Sequence, residues 1–249
     1  MNGFRVNKFN IEYMESRIDE LVLWERHCHA QFEMIAVADG DVNVLLEGTP
    51  CRLKRNQLII IPPLCYHSVS ANGKGSYRRI TALFDIDAIP EVIQPELRWR
   101  RAMVVNSSIV DKIKRTCQQD RAVFYEPLLE SLMIQIFYEV MQQDQSTSEI
   151  EADEFLQQVI EYIDTHLYEK ILLDDLAKAT ARSKSSFCHL FEEKMKISPK
   201  QYILQKKLAL ATKLIDEGMP HSVVAKQLGY ENYSNFYRLY RKNRPQKDT

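Results

Sequence analysis

The sequence predicts a multidomain α+β protein, with a β-rich N-terminal domain, helices that follow it, and an all-helical C-terminal domain. Three observations support this division. Short segments rich in β-branched and aromatic residues, separated by turn residues, lie within the first hundred residues. From about residue 105 the apolar spacing becomes that of helices. The last third of the chain contains the same short pattern twice and is far more basic than the rest.

The N-terminal domain, residues 1–105, is expected to be a β-sandwich or β-barrel. The four clearest predicted strands cover residues 33–37, 42–46, 58–61 and 79–84. Gly, Asn, Asp or Pro residues stand between them, as at Asp39-Gly40-Asp41 and Pro62-Pro63. Many short strands with regular turns are typical of both architectures.

Two helices are predicted over residues 106–142. The first begins after Asn106-Ser107-Ser108 and continues to about Arg121, and the second has Pro127 at its first position. The second helix has a wide apolar stripe, formed by Leu128, Leu129, Leu132, Met133, Ile136, Phe137 and Val140. Two interpretations stay open for this stripe: an interface between two subunits, or packing on the barrel of the same chain. Residues 143–154 are polar and aperiodic and are expected to form a linker.

Each copy of the C-terminal pattern predicts a helix-turn-helix unit. Leu176-Ala177-Lys178 precedes Phe187, and Val224-Ala225-Lys226 precedes Phe236 at nearly the same interval. Such a unit needs a small residue where its helices cross and an apolar inner face on its second helix. The predicted helices cover residues 153–168, 173–180, 183–195, 199–217, 222–228 and 233–242, with N-caps at Ser183 and Ser222 and a helix end at Gly218.

Charge separates the two halves of the chain. Residues 180–249 contain 14 Lys or Arg against six Asp or Glu, a net charge of +8. Because the whole chain carries −1, the first 179 residues carry −9. Two basic helices presented side by side suit the DNA major groove. The sequence has no phosphate-binding loop, nucleophile elbow or zinc-finger spacing, so neither an enzyme nor a cofactor is predicted.

The five cysteines are odd in number and have no CxxC spacing, which indicates reduced thiols. The N-terminus lacks the pattern of a signal peptide, and no apolar run approaches the length of a membrane span. A cytoplasmic protein without a membrane partner is therefore expected.

Residues 155–249 resemble the AraC/XylS-type DNA-binding domain, in which a long helix joins two helix-turn-helix units. The matching segments include Leu173-x-Asp175-Leu176-Ala177, Ile197-Ser198-Pro199-x-x-Tyr202 and Val224-Ala225-x-x-x-Gly229-Tyr230. The resemblance implies a transcription regulator that binds double-stranded DNA with both recognition helices on one DNA face, and RNA polymerase would be a further partner of an activator. Two positions depart from the family: Lys196 stands where glycine is usual, and His221 where an aliphatic residue is usual.

The resemblance also implies which side chains would face DNA. Arg238 is the candidate for reading a base, because a guanidinium matches the two acceptors of guanine. Lys184, Lys226, Arg241 and Lys242 are expected to contact phosphates. The complete predicted set is Lys184, Ser185, Cys188, His189, Lys226, Tyr233, Ser234, Tyr237, Arg238, Arg241 and Lys242.

The N-terminal half resembles a cupin-like barrel. His27-x-His29, Glu33 and Gly40 fit the first cupin motif, and Pro62 and His67 fit the second. Asn56 and Leu64 stand where the second motif has small residues. The resemblance implies an effector pocket, and the neighbouring aromatic rings would suit a sugar or a ring-bearing ligand. The predicted effector-binding residues are Trp24, His27, His29, Glu33, Tyr66 and His67.

Three interpretations of these side chains remain open. They line a metal-free pocket, or they have structural roles, or His27, His29, Glu33 and His67 bind zinc, iron, manganese or nickel. The favoured prediction is an effector-controlled, homodimeric transcription regulator without a metal. The alternative is a metal-dependent cupin enzyme with a basic tail that holds it near DNA.

Overall fold

The computed structural model describes residues 2–6, 8–18, 22–23, 25–71, 75–94, 103–118, 125–142 and 153–243. The chain divides into two compact units, the first built from residues 1–26 and 31–151 and the second chiefly from residues 152–249. The first unit contains β-sheets and helices, and the helices of residues 153–243 belong to the second. The α+β fold class predicted from the sequence is confirmed.

The strands of the first unit form two antiparallel sheets. The larger sheet has the order β1-β2-β9-β4-β7-β10, and the smaller has the order β3-β8-β5-β6. The four predicted strands lie within β4, β5, β7 and β9. The strands are β1 (Asn2–Val6), β2 (Phe9–Ile18), β3 (Val22–Leu23), β4 (Phe32–Asp39), β5 (Asp41–Leu46), β6 (Thr49–Lys54), β7 (Gln57–Ile61), β8 (His67–Ala71), β9 (Gly75–Phe84) and β10 (Met103–Asn106).

The larger sheet is apolar on both faces, because each face contributes to a different core. In β4, Met34 and Ala36 join the core formed with the following helices. Ile35 and Val37, which alternate with them, join the core between the two sheets. Glu33 has the same parity as Ile35 and therefore lies on the inner face of the sheet.

Two helices, α1 (Ile109–Gln118) and α2 (Tyr125–Gln142), cover the outer face of the larger sheet. The Ser107 hydroxyl accepts a hydrogen bond from the amide of Ile109 at 3.1 Å and so helps to start α1. The helix α2 begins at Tyr125, two residues before the predicted start. Pro127 is therefore its third residue and not its first. Arg121 lies outside the described residues.

The apolar stripe of α2 is used mainly within its own unit. Six of the seven predicted stripe residues are buried in the core against the sheet, and Leu128 is 46% exposed. Packing on the chain's own sheets therefore accounts for most of the stripe. The buried members are Leu129, Leu132, Met133, Ile136, Phe137 and Val140.

The regular secondary structure of residues 153–243, in the second unit, is helical. Its helices are α3 (Glu154–Thr165), α4 (Leu173–Ala179), α5 (Lys184–Met195), α6 (Pro199–Asp216), α7 (His221–Gln227) and α8 (Tyr233–Asn243). Asp153 caps α3 by accepting from the Leu156 amide, so Asp153 and Glu154 belong to this helix rather than to a linker. Residues 143–152 of the predicted linker lie outside the described residues.

Two helix boundaries correct the sequence prediction. Ser183 does cap α5, but Ser222 is the second residue of α7, whose N-cap is Pro220 and has no side-chain cap. The helix α3 ends at Thr165, three residues before the predicted end, and its C-cap His166 has a non-helical φ of −111° and ψ of 16°. Gly218, with φ of 96°, ends α6 as predicted.

Candidate nucleic-acid interface

The two copies of the sequence repeat have the same backbone structure. In the first copy, Ala181 takes a left-handed φ of 51°, and the amide of Arg182 donates to the carbonyl of Ala177 at 2.9 Å. In the second, Gly229 takes φ of 74°, and the amide of Tyr230 donates to the carbonyl of Ala225 at 3.0 Å. Both copies therefore form a helix, a left-handed turn and a second helix, as predicted.

Each unit has a core on the inner face of its second helix. Phe187 and Phe191 of α5 are fully buried, and Phe236 and Tyr240 of α8 occupy the matching positions at 0% and 2% exposure. The small side chains of Ala177 and Ala225 are buried where the first helix crosses the second. Burial of this face leaves the opposite face of α5 and α8 for a partner.

The exposed face of α5 begins at the Ser183 cap. Ser185 and His189 are exposed and Cys188 is half-buried. The Lys184 ammonium donates to the Asp174 carboxylate at 2.9 Å, and this hydrogen bond raises the pKa of Lys184. A phosphate contact by Lys184 therefore requires it to leave Asp174. The helix ends at Lys196 with φ of 55°, so the lysine adopts the left-handed conformation that suits the usual glycine.

The exposed face of α8 is aromatic and basic. Tyr233 and Tyr237 stack with ring centroids 5.8 Å apart, and they are 46% and 38% exposed. Arg238 is exposed and donates to the side-chain oxygen Oδ1 of Asn235 at 3.0 Å. His221 meets the Tyr237 ring edge to face at 5.7 Å, which accounts for an aromatic residue at this position.

The remaining predicted DNA contacts are also accessible. Ser234, Arg241 and Lys242 are exposed on α8, and Lys226 is exposed on α7. Of the eleven predicted residues, Cys188 alone is half-buried and the others are exposed.

A cleft of about 620 Å³ lies beside the starts of both second helices. Lys184 of α5 and Asn235 of α8 line it, together with further basic side chains from other elements. These additional residues come from the segment before α4 and from α6, so no local sequence pattern indicated them. The lysines that line the cleft are Lys170, Lys184, Lys200 and Lys207.

The predicted effector site lies in the sheet-containing N-terminal unit. Its buried pair is Glu33 and His67. His67 Nε2 lies 2.8 Å from a Glu33 carboxylate oxygen, and His67 Nδ1 lies 2.9 Å from the carbonyl oxygen of Cys65. Burial lowers the pKa of His67, but the hydrogen bond and charge of Glu33 outweigh it, so the pKa is raised overall. Both ring nitrogens therefore face acceptors, which favours a protonated imidazole.

His27 and His29 lie near this pair. Their rings are 5.8 Å apart, and one potential ligand atom from each of His27, His29, Glu33 and His67 lies within 4.8 Å of the others. Tyr66 is buried, and its amide donates to the Glu47 carboxylate at 2.9 Å. Trp24 lies outside the described residues.

The second cupin-like motif has the expected backbone despite its unusual residues. Asn56 and Leu64 both have φ of 62°, in the left-handed region that disfavours side chains with a β-carbon. These are the two positions where the motif has small residues. The local fold of the motif is therefore retained at the cost of some backbone strain.

Two further observations concern the whole chain. Within the ranges described, no helix combines the length and apolarity needed to cross a bilayer. All five cysteines are free thiols.

Comparison with known proteins identifies the family. A family model described as an AraC-like ligand binding domain matches residues 9–160, more than half of the chain. A second model, described as a helix-turn-helix domain, matches residues 176–244. The chain belongs to the AraC family. The two matched regions correspond to the sheet-containing unit and to the paired helix-turn-helix units.

This AraC-family protein is 39% identical to the probable transcriptional regulator LumQ of Photobacterium leiognathi over 82 residues, which are 32% of this chain and 33% of LumQ. It is 21% identical to the uncharacterized HTH-type transcriptional regulator YobQ of Bacillus subtilis over 225 residues, 89% of this chain and 86% of YobQ. Apo ToxT of Vibrio cholerae superimposes with a TM-score of 0.48 at 9% identity, over 95% of this chain and 93% of that one. The match spans about a third of the length of LumQ.

The enzyme alternative has no support from these comparisons. LumQ and YobQ are named as transcriptional regulators, and the two matched models describe a ligand-binding domain and a helix-turn-helix domain. The protein is a member of a regulator family rather than a cupin enzyme.

Proposed function

We propose that this AraC-family protein is a one-component transcription regulator that binds specific double-stranded DNA under the control of a small-molecule effector. The observation that carries the proposal is the pair of helix-turn-helix units, which share one turn geometry and bury one face of each second helix. The second helices, α5 and α8, are the proposed recognition helices. A protein that regulates transcription in this way would work in the cytoplasm, and an activator would also contact RNA polymerase.

The proposed DNA contacts divide into two classes. Arg238 reads a base, because its guanidinium is exposed on α8, the proposed recognition helix, opposite the buried face. Lys184, Lys226, Arg241 and Lys242 bind phosphates. The other exposed or half-buried members of the surface, which flank these groups on the same helices, are Ser185, Cys188, His189, Tyr233, Ser234 and Tyr237.

The proposed effector site lies around the buried Glu33–His67 pair. A metal-free pocket is favoured, because both nitrogens of His67 already face oxygen acceptors. The paired carboxylate and imidazole would bind hydroxyl groups, which suits a sugar, while an aromatic acid would suit the neighbouring rings. His27, His29, Tyr66 and Trp24 complete the proposed effector-binding set.

A second candidate for the same site is a transition-metal ion. The clustering of four potential ligand atoms within 4.8 Å supports it, because three imidazoles and a carboxylate form a common ligand set for zinc, iron, manganese or nickel. Metal analysis of the purified protein separates the two candidates. Stoichiometric metal that is lost in His27→Ala would favour the ion, and metal-free protein would exclude it.

We also propose that the regulator is a homodimer and that α2 contributes to its interface. Leu128, Ile134 and Tyr138 are 46%, 38% and 62% exposed, and their helical positions place them on one face opposite the buried stripe. Three large apolar side chains on one exposed helix face favour contact with a second copy of the chain.

A thermal-shift screen tests the effector part of the proposal. A ligand that binds the folded protein at 100 times its dissociation constant adds ~2.7 kcal/mol to the free energy of unfolding. Sugars and aromatic acids are the classes to screen. A hit should disappear in Glu33→Gln, whereas a hit that survives this change would place the effector elsewhere.

A further inference from the structure

Two adjacent lysines on α6 are buried, although lysine is seldom found in a protein interior. Lys206 is 1% exposed and Lys207 is 6% exposed. Each ammonium must therefore have compensating partners, and the two have different ones.

Lys206 connects α6 to α3, within the first helix-turn-helix unit and its supporting helix. Its ammonium lies 2.6 Å from the Asp164 carboxylate and 5.1 Å from the centre of the Tyr202 ring. This ion pair stabilises the packing of α6 on α3.

Lys207 instead connects the second helix-turn-helix unit to the segment that precedes the first. Its ammonium donates to the carbonyl of Leu228, at the end of α7, at 2.7 Å. It also donates to the carbonyl of Glu169, in the segment between α3 and α4. The Tyr230 ring lies 5.6 Å from the same ammonium, and burial lowers the pKa of Lys207. A single buried side chain therefore joins the end of α7, in the second helix-turn-helix unit, to the segment that leads into α4 of the first.

The backbones of the two units also touch at this junction. A β-carbon added to Gly229 would lie 2.7 Å from the carbonyl carbon of Glu169 and 2.8 Å from the amide nitrogen of Lys170. No side chain fits in this space, and Gly229 also has the positive φ that glycine favours. The turn of the second helix-turn-helix unit is thus packed directly on the segment that precedes the first helix-turn-helix unit.

A surface ion pair beside the junction adds little. Lys170 and Glu231 lie 2.8 Å apart, but their side chains are 63% and 80% exposed. Solvent screens exposed pairs of this kind, so they contribute little to stability. The buried Lys207 ammonium and the close backbone contact at Gly229 are therefore the features that hold the second helix-turn-helix unit on the segment before α4.

We propose that the Lys207 junction sets the spacing between the two DNA elements that the protein recognises. The inference rests on the proposed DNA binding and goes beyond it, because it assigns spacing selectivity to residues outside the proposed set of DNA contacts. When two binding modules are held rigidly, the second adds affinity only if both sites are at the matching distance. If the junction is loosened, each unit keeps its own recognition helix, but a wider range of spacings becomes acceptable. Lys207 is in this sense a positioning residue.

The experiment uses the full chain and a duplex selected by the unaltered protein from random DNA. The two elements of that duplex are then moved apart or together by one and two base pairs, and affinity is measured for each spacing. The unaltered protein should bind the selected spacing up to roughly 10²-fold more tightly than the shifted ones. In Lys207→Met this ratio should fall to less than roughly tenfold, chiefly through weaker binding to the selected spacing.

Lys206→Met is the matched control, since it removes the neighbouring buried ammonium of the same helix, which pairs with Asp164 of α3. It should lower the thermal unfolding temperature while the spacing ratio stays that of the unaltered protein. An unchanged ratio in Lys207→Met, or an equal fall in both variants, would overturn the proposal.

Gly229→Ala provides a second test that leaves the ammonium in place, and it decides the matter if Lys207→Met does not fold. The added methyl group must push the turn away from Glu169, so the spacing ratio should again fall. A Gly229→Ala protein that is folded, binds DNA and keeps the full ratio would contradict the inference. If the unaltered protein bound no duplex at all, the proposed function itself would fail.

Discussion

Individual side chains at the proposed DNA interface differ in what holds them in the free protein. Arg238 is held by Asn235, a neutral partner one turn away on the same helix, at 3.0 Å. Lys184 is held by the charged Asp174, which lies on a different helix, at 2.9 Å. An arginine with a neutral local partner is free to pair with a base edge, whereas a lysine must exchange one anion for another. The two residues should therefore affect DNA binding in different ways.

Arg238→Ala should relax specificity at one position of the DNA site. A bidentate arginine–guanine contact is worth ~1–3 kcal/mol of discrimination, so this change should nearly equalise the affinities for the four bases at that position. Competition binding with a panel of single-base variants measures this. Arg241→Ala, two turns from the start of the same recognition helix, is the control and should weaken all sequences alike. The reverse pattern would show that the reading residues are misassigned.

Asp174→Asn and Lys184→Gln should change affinity in opposite directions for every sequence. Asp174→Asn removes the anion that holds Lys184 and the negative charge near the phosphates, so binding should become tighter. Lys184→Gln removes a phosphate contact and should lower the slope of log affinity against log salt by ~0.9. Salt titrations of both variants against one duplex test this. Weaker binding in Asp174→Asn would indicate that Asp174 orients Lys184 rather than competing with DNA.

Asp153, the N-cap of α3, should make the stability of the C-terminal helical unit depend on pH. Partial burial raises the pKa of Asp153, but hydrogen bonds from Lys194 and from the Leu156 amide outweigh it and hold the pKa below its ordinary value. Because the folded-state pKa is lowered, the stabilisation is present above the ordinary aspartate pKa of about 4 and is lost as the pH falls through the folded-state pKa.

Asp153→Ala should therefore destabilise the second unit by ~0.5–2 kcal/mol at neutral pH, which is the usual cost of a lost N-cap. Urea unfolding at neutral pH and in acid measures the difference between variant and unaltered protein. This difference should shrink in acid. Glu154→Ala, the next residue, is the control and should change little. A difference that is constant across pH would mean that the carboxylate charge contributes nothing.

At the scale of secondary-structure elements, α2 has two faces with different roles. The buried stripe packs on the larger sheet, and this was predicted as one of two interpretations. The exposed face, with Leu128, Ile134 and Tyr138, was not evident from the sequence, because the apolar residues of the two faces follow one another along the chain. The structure therefore divides the apolar residues of α2 between an inner core face and an outer exposed face.

Replacing Leu128 and Tyr138 together by lysine should convert a dimer into a monomer. Two charges on each copy would have to be buried at the proposed interface, and buried unpaired charges are strongly unfavourable. Sedimentation velocity at micromolar concentration measures the change. Lys112→Glu on α1, an exposed charge change on a different helix, should leave the dimer intact. An unaltered protein that sediments as a monomer would contradict the interface.

Other elements show where sequence patterns were informative. The inner faces of β4 and β7 contain the β-branched residues Ile35, Val37, Ile59 and Ile61, and both strands were predicted. By contrast, β6 contains Pro50 and exposed polar residues, and β8 has two serines, so neither has a strong strand signal. In β2, Phe9, Ile11 and Tyr13 alternate with polar residues, and this period of two could have indicated the strand.

At the scale of the whole molecule, the repeat and the charge division predicted the architecture, because both are properties of sequence alone. The eleven proposed DNA contacts followed from helical spacing and the family resemblance. The junction at Lys207 could not be predicted, since its burial depends on the meeting of Glu169 and Leu228, which are far apart in the chain. Lys207 is one of two adjacent lysines on a long helix, and its sequence context does not distinguish it from a solvated residue.

Selection of duplexes from random DNA by the full chain is the most direct test of the central claim. Two recognition helices on one DNA face should enrich a site with two elements whose centres lie about one helical turn apart, roughly 34 Å. The affinity for that site should fall steeply as salt is raised, because phosphate contacts release counterions. Failure to enrich any sequence, together with affinity that does not depend on salt, would contradict the assignment of this protein as a DNA-binding regulator.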